Sequence, residues 1–169
     1  IYVTLTALIF SFFLISGIRI FDSLNLSMTI ISSGGFLPTN FLGDIIKSDF
    51  QSITLCVAFL ISIFNFYLLY NLALERNNLK KHIEDLYLFF LIIIFSMIFY
   101  FLNELNLSSV FINVLSSIGN SGITIDEIPD NFSLYFLILT LIGGSVLSST
   151  SGLKFLRIYI LIKTFLMEI

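Results

Sequence analysis

The chain of 169 residues is 57% hydrophobic and only 11% charged, with a mean hydropathy of +1.04, 20 Phe and no Trp. Soluble domains run at about 45–50% apolar and about 25% charged, so an ordinary soluble globular domain is excluded and a polytopic membrane protein with room for four spans of about 20 residues is expected. A net charge of −3 from 8 basic and 11 acidic residues supplies no basic patch for nucleic acid.

Tyr2–Ile20 is apolar and of spanning length. It begins after Ile1 rather than Met and lacks the basic region and cleavage site of a signal peptide, so the chain reads as a piece of a longer protein. The connection Phe21–Asp49 is too long and too apolar for a surface loop. It contains the run Leu24–Ile31, about two helical turns and too short to span, and then Ser32-Ser33-Gly34-Gly35-Phe36. Phe50–Leu74 is predicted as the second span; Cys56 within it can form neither an internal disulfide nor a zinc site and reads as a packed core thiol. Glu75–Asp85 is a link carrying Arg76, Lys80, Lys81 and a solvated His82, and Leu86–Leu102 is the third span.

Asn103–Asn131 repeats the earlier design, with the short run Val110–Ile118 followed by Gly119-Asn120-Ser121-Gly122-Ile123-Thr124. The last apolar stretch, Phe132–Leu166, is longer than a span needs. Gly143, Gly144 and the Ser/Thr/Gly cluster through Gly152 interrupt it, which predicts a broken helix. Irregular backbone at membrane depth is tolerated only where protein or water covers it, so the break is a candidate functional element. Gly35 and Gly122 lie 87 residues apart (122 − 35), about half the chain, and the order span, half-helix, glycine strand, span occurs twice. The expected fold is an all-α membrane protein of two tandem helix–pore loop–helix repeats, 1–74 and 86–169, joined by a cytoplasmic link at 75–85, with re-entrant half-helices and a broken final helix.

Charge sets the expected orientation. Arg76, Lys80, Lys81, Lys154, Arg157 and Lys163 are six of the eight bases and fall on one side. The other side carries Asp22, Asp44, Asp49, Glu104, Asp126, Glu127 and Asp130 against Arg19 and Lys47. The positive-inside rule places the link and both ends of the chain in the cytoplasm. The glycine loops then face outward, where the acidic residues would concentrate cations. A half-helix returning as a glycine-containing strand presents backbone carbonyls whose dipoles can replace the hydration shell of a monovalent cation. Glycine permits the backbone angles such a strand requires. Neither a catalytic triad, a carboxylate pair nor a metal-ligand cluster lies within a span, so neither an enzyme nor a cofactor is expected.

The segment from Phe21 to Phe36, Phe21-Asp22-Ser23 through Ser32-Ser33-Gly34-Gly35-Phe36, resembles the pore helix and filter of Trk/Ktr/HKT-type potassium transporters (TrkH-like membrane subunits). The run Gly143-Gly144-Ser145-Val146-Leu147-Ser148-Ser149-Thr150-Ser151-Gly152-Leu153-Lys154-Phe155-Leu156-Arg157 resembles that family's broken-helix segment without a gap, and Phe111–Ile123 fits the filter preceding it. Leu147 and Ser151 stand where the family has glycines, and Asn120 and Ser121 where its third filter usually has threonines.

The resemblance implies the second and third of four pore repeats. Ser33, Gly34, Gly35 and Phe36 would form one quadrant of a K+ filter, and Asn120, Ser121, Gly122 and Ile123 the next, through their backbone carbonyls. Gly143, Gly144, Ser145, Ser148, Ser149, Thr150, Ser151 and Gly152 would form a gate loop, with Lys154 and Arg157 anchoring it near the cytoplasm. It also implies K+ as the transported ion, with Na+ as an alternative, in a bacterial-type inner (plasma) membrane. The implied partners are the lipid bilayer, the remaining repeats or a second copy in a homodimer, and a cytosolic nucleotide-binding regulatory subunit. A two-repeat channel that dimerises into a complete pore and a non-conducting membrane scaffold are the competing readings.

Overall fold

The computed structural model describes residues 2–39, 41–74, 83–103, 106–125 and 130–168, and the regular structure among them is entirely helical. The basic residues of the link (Arg76, Lys80, Lys81, His82) and the acids Glu104, Asp126 and Glu127 lie outside the described residues.

Helix α1 (Tyr2–Ile15) buries Ile9 and Phe13, one turn apart on one face. It stops at Gly17, where Ile18 N donates to Phe13 O at 3.2 Å and Gly17 N to Leu14 O at 3.0 Å, the paired bonds of a Schellman turn. Helix α2 (Ile20–Ser32) begins before the expected Leu24 and turns Leu26, Ile30 and Ile31 inward. A short 3₁₀ turn (Leu42–Asp44) leads to helix α3 (Asp49–Ile63). Its start is a sequence-encoded cap: Ser48 Oγ accepts from Gln51 N at 3.3 Å while Gln51 Oε1 accepts from Lys47 N at 2.8 Å. Gln51 Nε2 also donates to Ser16 O, tying this cap to the turn after α1.

The expected second span is not one helix. Phe50–Leu74 divides into α3 and α4 (Phe66–Leu74), which meet at 113° across Phe64 and Asn65. Helix α5 (Ile83–Leu102) starts earlier than Leu86, so Glu84 and Asp85 belong to its first turn rather than to the link. At 20 residues it is long and apolar enough to cross a membrane; among the described residues no other single helix is, and α3 with α4 makes a second span if the bent pair counts as one. Helix α6 (Leu107–Ile118) is the second short helix, followed by a 3₁₀ turn (Asp130–Phe132), α7 (Ser133–Ile142) and α8 (Phe155–Glu168). The expected interruption of the last apolar stretch thus falls between α7 and α8.

Helix α6 is the centre of the packing and touches α3, α5 and α7, whereas α2 packs on α1 and α3. The consequence is a difference in burial. From Ser109 to Ile118 every α6 residue but Phe111 is buried, while α2 leaves Leu24 and Met28 exposed. Cys56 is half-buried against the core rather than enclosed in it. An aromatic cluster joins α5 to α7: the buried Phe99 ring lies 5.0 Å from Phe136, 5.2 Å from Phe132 and 5.8 Å from Tyr135, with edge-on and stacked geometries that add to burial.

Phe99→Ala is expected to destabilise the purified protein by about 3–5 kcal/mol, the cost of a large-to-small aromatic change in a packed core. Phe101→Ala, at a residue 80% exposed, is expected to stay within about 0.5 kcal/mol. Thermal unfolding in detergent compares the two.

Candidate functional site

Both short helices end in the same way. After α2, Gly34 N donates to Thr29 O at 3.0 Å and Ser33 N to Ile30 O at 3.4 Å. After α6, Ser121 N donates to Ser116 O at 3.0 Å and Asn120 N to Ser117 O at 3.0 Å. Every residue of the second pair stands 87 positions after its counterpart. Each turn is a Schellman motif carried by a residue other than glycine in the left-handed region, Ser33 (φ 52°) and Asn120 (φ 56°). Two residues later each chain reaches a glycine with positive φ, Gly35 (70°) and Gly122 (66°). The recurrence therefore extends to backbone conformation as well as to residue type.

The polar side chains of the helices hold these segments in place. Thr29 Oγ1 accepts from Phe36 N at 2.7 Å, so the first segment is pinned at Ser33, Gly34 and Phe36 by N–H groups turned back onto α2. In the second, Ser116 Oγ lies 3.0 Å from Ser121 Oγ, and Asn113 Oδ1 accepts from Ile125 N at 3.4 Å. The N–H groups of Ser33, Gly34, Phe36, Asn120 and Ser121 turn toward the helices, and the carbonyl oxygens of Ser33–Phe36 and Asn120–Ile123 accept no hydrogen bond among the described residues. The segments also meet: a Cβ on Gly35 would overlap the carbonyl oxygen of Ser121, whereas one on Gly122 would meet nothing within 4 Å.

The interrupted helix forms a closed loop between α7 and α8. Phe155 N donates to Gly144 O and Leu153 N to Leu141 O, both at 3.1 Å, so entry and exit lie side by side. Inside it, Gly144 N donates to Thr150 Oγ1 at 3.0 Å, Ser148 Oγ to Ser145 O at 2.7 Å, and Ser148 and Thr150 share a hydroxyl contact of 2.8 Å. Lys154 Nζ bonds back to Thr150 O and to Ser148 Oγ. Lys154 therefore braces the loop itself, and Arg157 is exposed. Ser151 and Gly152 are exposed, while Gly143, Gly144, Ser145, Ser148 and Thr150 are buried and Ser149 is half-buried.

The loop rests on the bend between α3 and α4. Ser145 N donates to Ile63 O at 3.0 Å, Ser149 N and Oγ both donate to Ser62 O at 3.2 Å, and Phe66 N donates to Leu147 O at 3.2 Å. The first turn of α5 grips both partners. Glu84 Oε1 accepts from Val146 N at 2.9 Å in the loop, and Asp85 Oδ1 accepts from Asn65 N at 3.0 Å in the bend. Sequence reasoning did not single out Thr29, Asn113, Ser62, Asn65, Glu84 or Asp85. The one available signal was Asn65, a polar residue in the middle of an apolar run.

The site is thus two adjoining glycine turns behind short helices, with an interrupted helix lodged against a helix bend. No family model matches the chain. The chain is similar to an uncharacterized cation transporter of Methanocaldococcus jannaschii, with 27% identity over 173 residues that take in 100% of this chain and 36% of that protein. The chain therefore spans about a third of the length of the relative it matches.

The two glycines separate in their expected response to alanine. Gly35→Ala meets both an unfavourable φ and the Ser121 carbonyl, so the two segments must move apart. Gly122→Ala carries the backbone strain alone, about 1–2 kcal/mol. Thermal unfolding is expected to show a markedly larger drop for Gly35→Ala.

Proposed function

We propose that this chain belongs to a transporter that conducts potassium, with sodium the alternative ion, across a bacterial-type plasma membrane through a pore of the Trk/Ktr/HKT kind. The observation that carries the reading is the orientation of the two glycine turns. The N–H groups of Ser33, Gly34 and Phe36 turn back onto α2 and those of Asn120 and Ser121 onto α6, and the carbonyls of Ser33–Phe36 and Asn120–Ile123 have no donor among the described residues. Carbonyl dipoles in that state compensate a cation for its lost hydration. The name of the archaeal relative supports cation transport in general.

In this reading the two segments are neighbouring quadrants of one filter, and the Gly143–Gly152 loop restricts ion flow beneath it. No cofactor and no enzymatic step are involved. The link and both ends of the chain face the cytoplasm, where a nucleotide-binding subunit would act.

Two quadrants do not close a ring, and burial supports a further element. Met28 on α2 is 56% exposed, whereas Leu115, its counterpart 87 residues on, is 1% exposed on a helix packed against α3, α5 and α7. The equivalent cover for α2 would come from the remaining repeats or from a second copy in a homodimer.

Potassium flux into vesicles containing the complete transporter tests the assignment. Gly35→Asp and Gly122→Asp, each placing a carboxylate in the filter, are expected to reduce flux at least about tenfold, equivalent to about 1.4 kcal/mol on the barrier. Unchanged flux in both would refute the filter assignment.

A further inference from the structure

The two glycine turns differ at one position. Ser33 and Asn120 are counterparts in the left-handed turn residue, yet Ser33 Oγ is buried with no hydrogen-bond partner among the described residues. Asn120, in contrast, reaches out of its own segment: Nδ2 donates to Thr140 O at 3.1 Å, in the last turn of α7. That carbonyl is one of those a helix end leaves without an internal donor. Its neighbours are already engaged, Leu139 O by Gly143 N and Leu141 O by Leu153 N, so the Asn120 carboxamide caps the carbonyl left between them.

The same point is where the loop closes. A Cβ on Gly152 would lie 2.9 Å from Thr140 O, 3.1 Å from Gly143 Cα and 3.2 Å from Asn120 Nδ2. Turn residue, helix end and both ends of the loop therefore converge with no side chain between them. Packing with no room for even a methyl group at Gly152 transmits a displacement rather than absorbing it.

We propose that Asn120 is the positioning residue that couples filter to gate, so that a monovalent cation held by the Asn120–Ile123 carbonyls sets the position of the Gly143–Gly152 loop. The inference rests on the filter reading above. Drawing the carbonyls toward a cation rotates the peptide planes on either side of Asn120. The carboxamide carries that rotation to Thr140 O, and Gly152 and Gly143 move with it. Among the described residues the first segment shows no equivalent tether, Ser33 Oγ having no partner there, so the coupling is assigned to the second segment.

Hydrogen–deuterium exchange of the complete protein in potassium or in N-methylglucamine tests this. Exchange reports the local opening of each segment separately. In the natural protein, withdrawing potassium is expected to raise exchange at least about threefold in both the 119–125 and the 143–153 peptides. Asn120→Gly keeps the left-handed turn, which glycine favours, and deletes the tether. Asn120→Ser installs the residue that holds the same left-handed conformation at Ser33 and cannot make the tether, and serves if the glycine variant does not fold. In either variant the 119–125 peptide still responds to potassium and the 143–153 peptide exchanges at one rate in both salts. A gate peptide that keeps its potassium response in the variants overturns the coupling and leaves the filter reading standing. A 119–125 peptide indifferent to potassium in the natural protein overturns both. A purely structural role for Asn120 would raise gate exchange in both salts and preserve the potassium response.

Discussion

A chain this apolar has few side chains with which to satisfy backbone groups where a helix stops, and it does so by setting one helix break against another. At the end of α3, Ser62 O and Ile63 O lack intrahelical donors, and the N–H groups of Ser149 and Ser145 supply them. At the start of α4, Phe66 N lacks an acceptor, and Leu147 O provides it. Leaving such a group buried and unpaired costs about 1–3 kcal/mol, so neither break is stable without its partner. The acidic pair at the start of α5 adds to this, since Glu84 and Asp85 take the Val146 and Asn65 N–H groups. Bend, loop and α5 are one unit, formed between two halves of the chain that share no continuous element.

The recurrence at 87 residues is a repetition of how helices end as much as of sequence. Thr29 and Ser116 are counterparts that both accept the closing bond of a Schellman turn through their carbonyls, and both present a hydroxyl to the segment beyond. The halves then diverge in proportion to what covers them. α6 is packed against α3, α5 and α7 and can bury Ser116, Ser117 and Asn113; α2 packs chiefly on α1 and α3 and keeps an exposed face.

Much of this was legible in the sequence because it is written in local chemistry. The two-turn runs Leu24–Ile31 and Val110–Ile118 lie inside α2 and α6, and Gly143–Gly152 does interrupt the last apolar stretch. The helix starts were misplaced because Phe21-Asp22-Ser23 and Leu107-Ser108-Ser109 mix polar with apolar residues, which blurs an apolar count without preventing a helix. The α3–α4 bend was invisible for a different reason. Phe64-Asn65-Phe66 contains neither glycine nor proline, and one Asn scarcely lowers the hydropathy of Phe50–Leu74. The bend is stabilised by Asp85, 20 residues on, and by a loop some 80 residues on, partners that no local pattern contains. Glu84 and Asp85 fell inside the expected link 75–85 for the same reason.

The loop's composition follows from the same constraint. Its three glycines, Gly143, Gly144 and Gly152, occupy the places where a side chain has no room. A Cβ on Gly144 would stand 2.5 Å from Thr150 Oγ1 and 2.6 Å from Ile63 O, and the other two would strike each other's strand. Leu147 and Ser151, which depart from glycine in the transporter pattern the segment resembles, are both exposed, so their side chains displace nothing. Leu147 is used for its carbonyl, which any residue carries. The Thr150 hydroxyl accepts from Gly144 N and meets Ser148 and Lys154. At Thr150 the loop therefore gains internal hydrogen bonds, while Leu147 and Ser151 add side chains where solvent-facing space permits. Glycine remains at the approaches to α3, α7 and Asn120, so the loop is stiff within itself and closest-packed where it meets its neighbours.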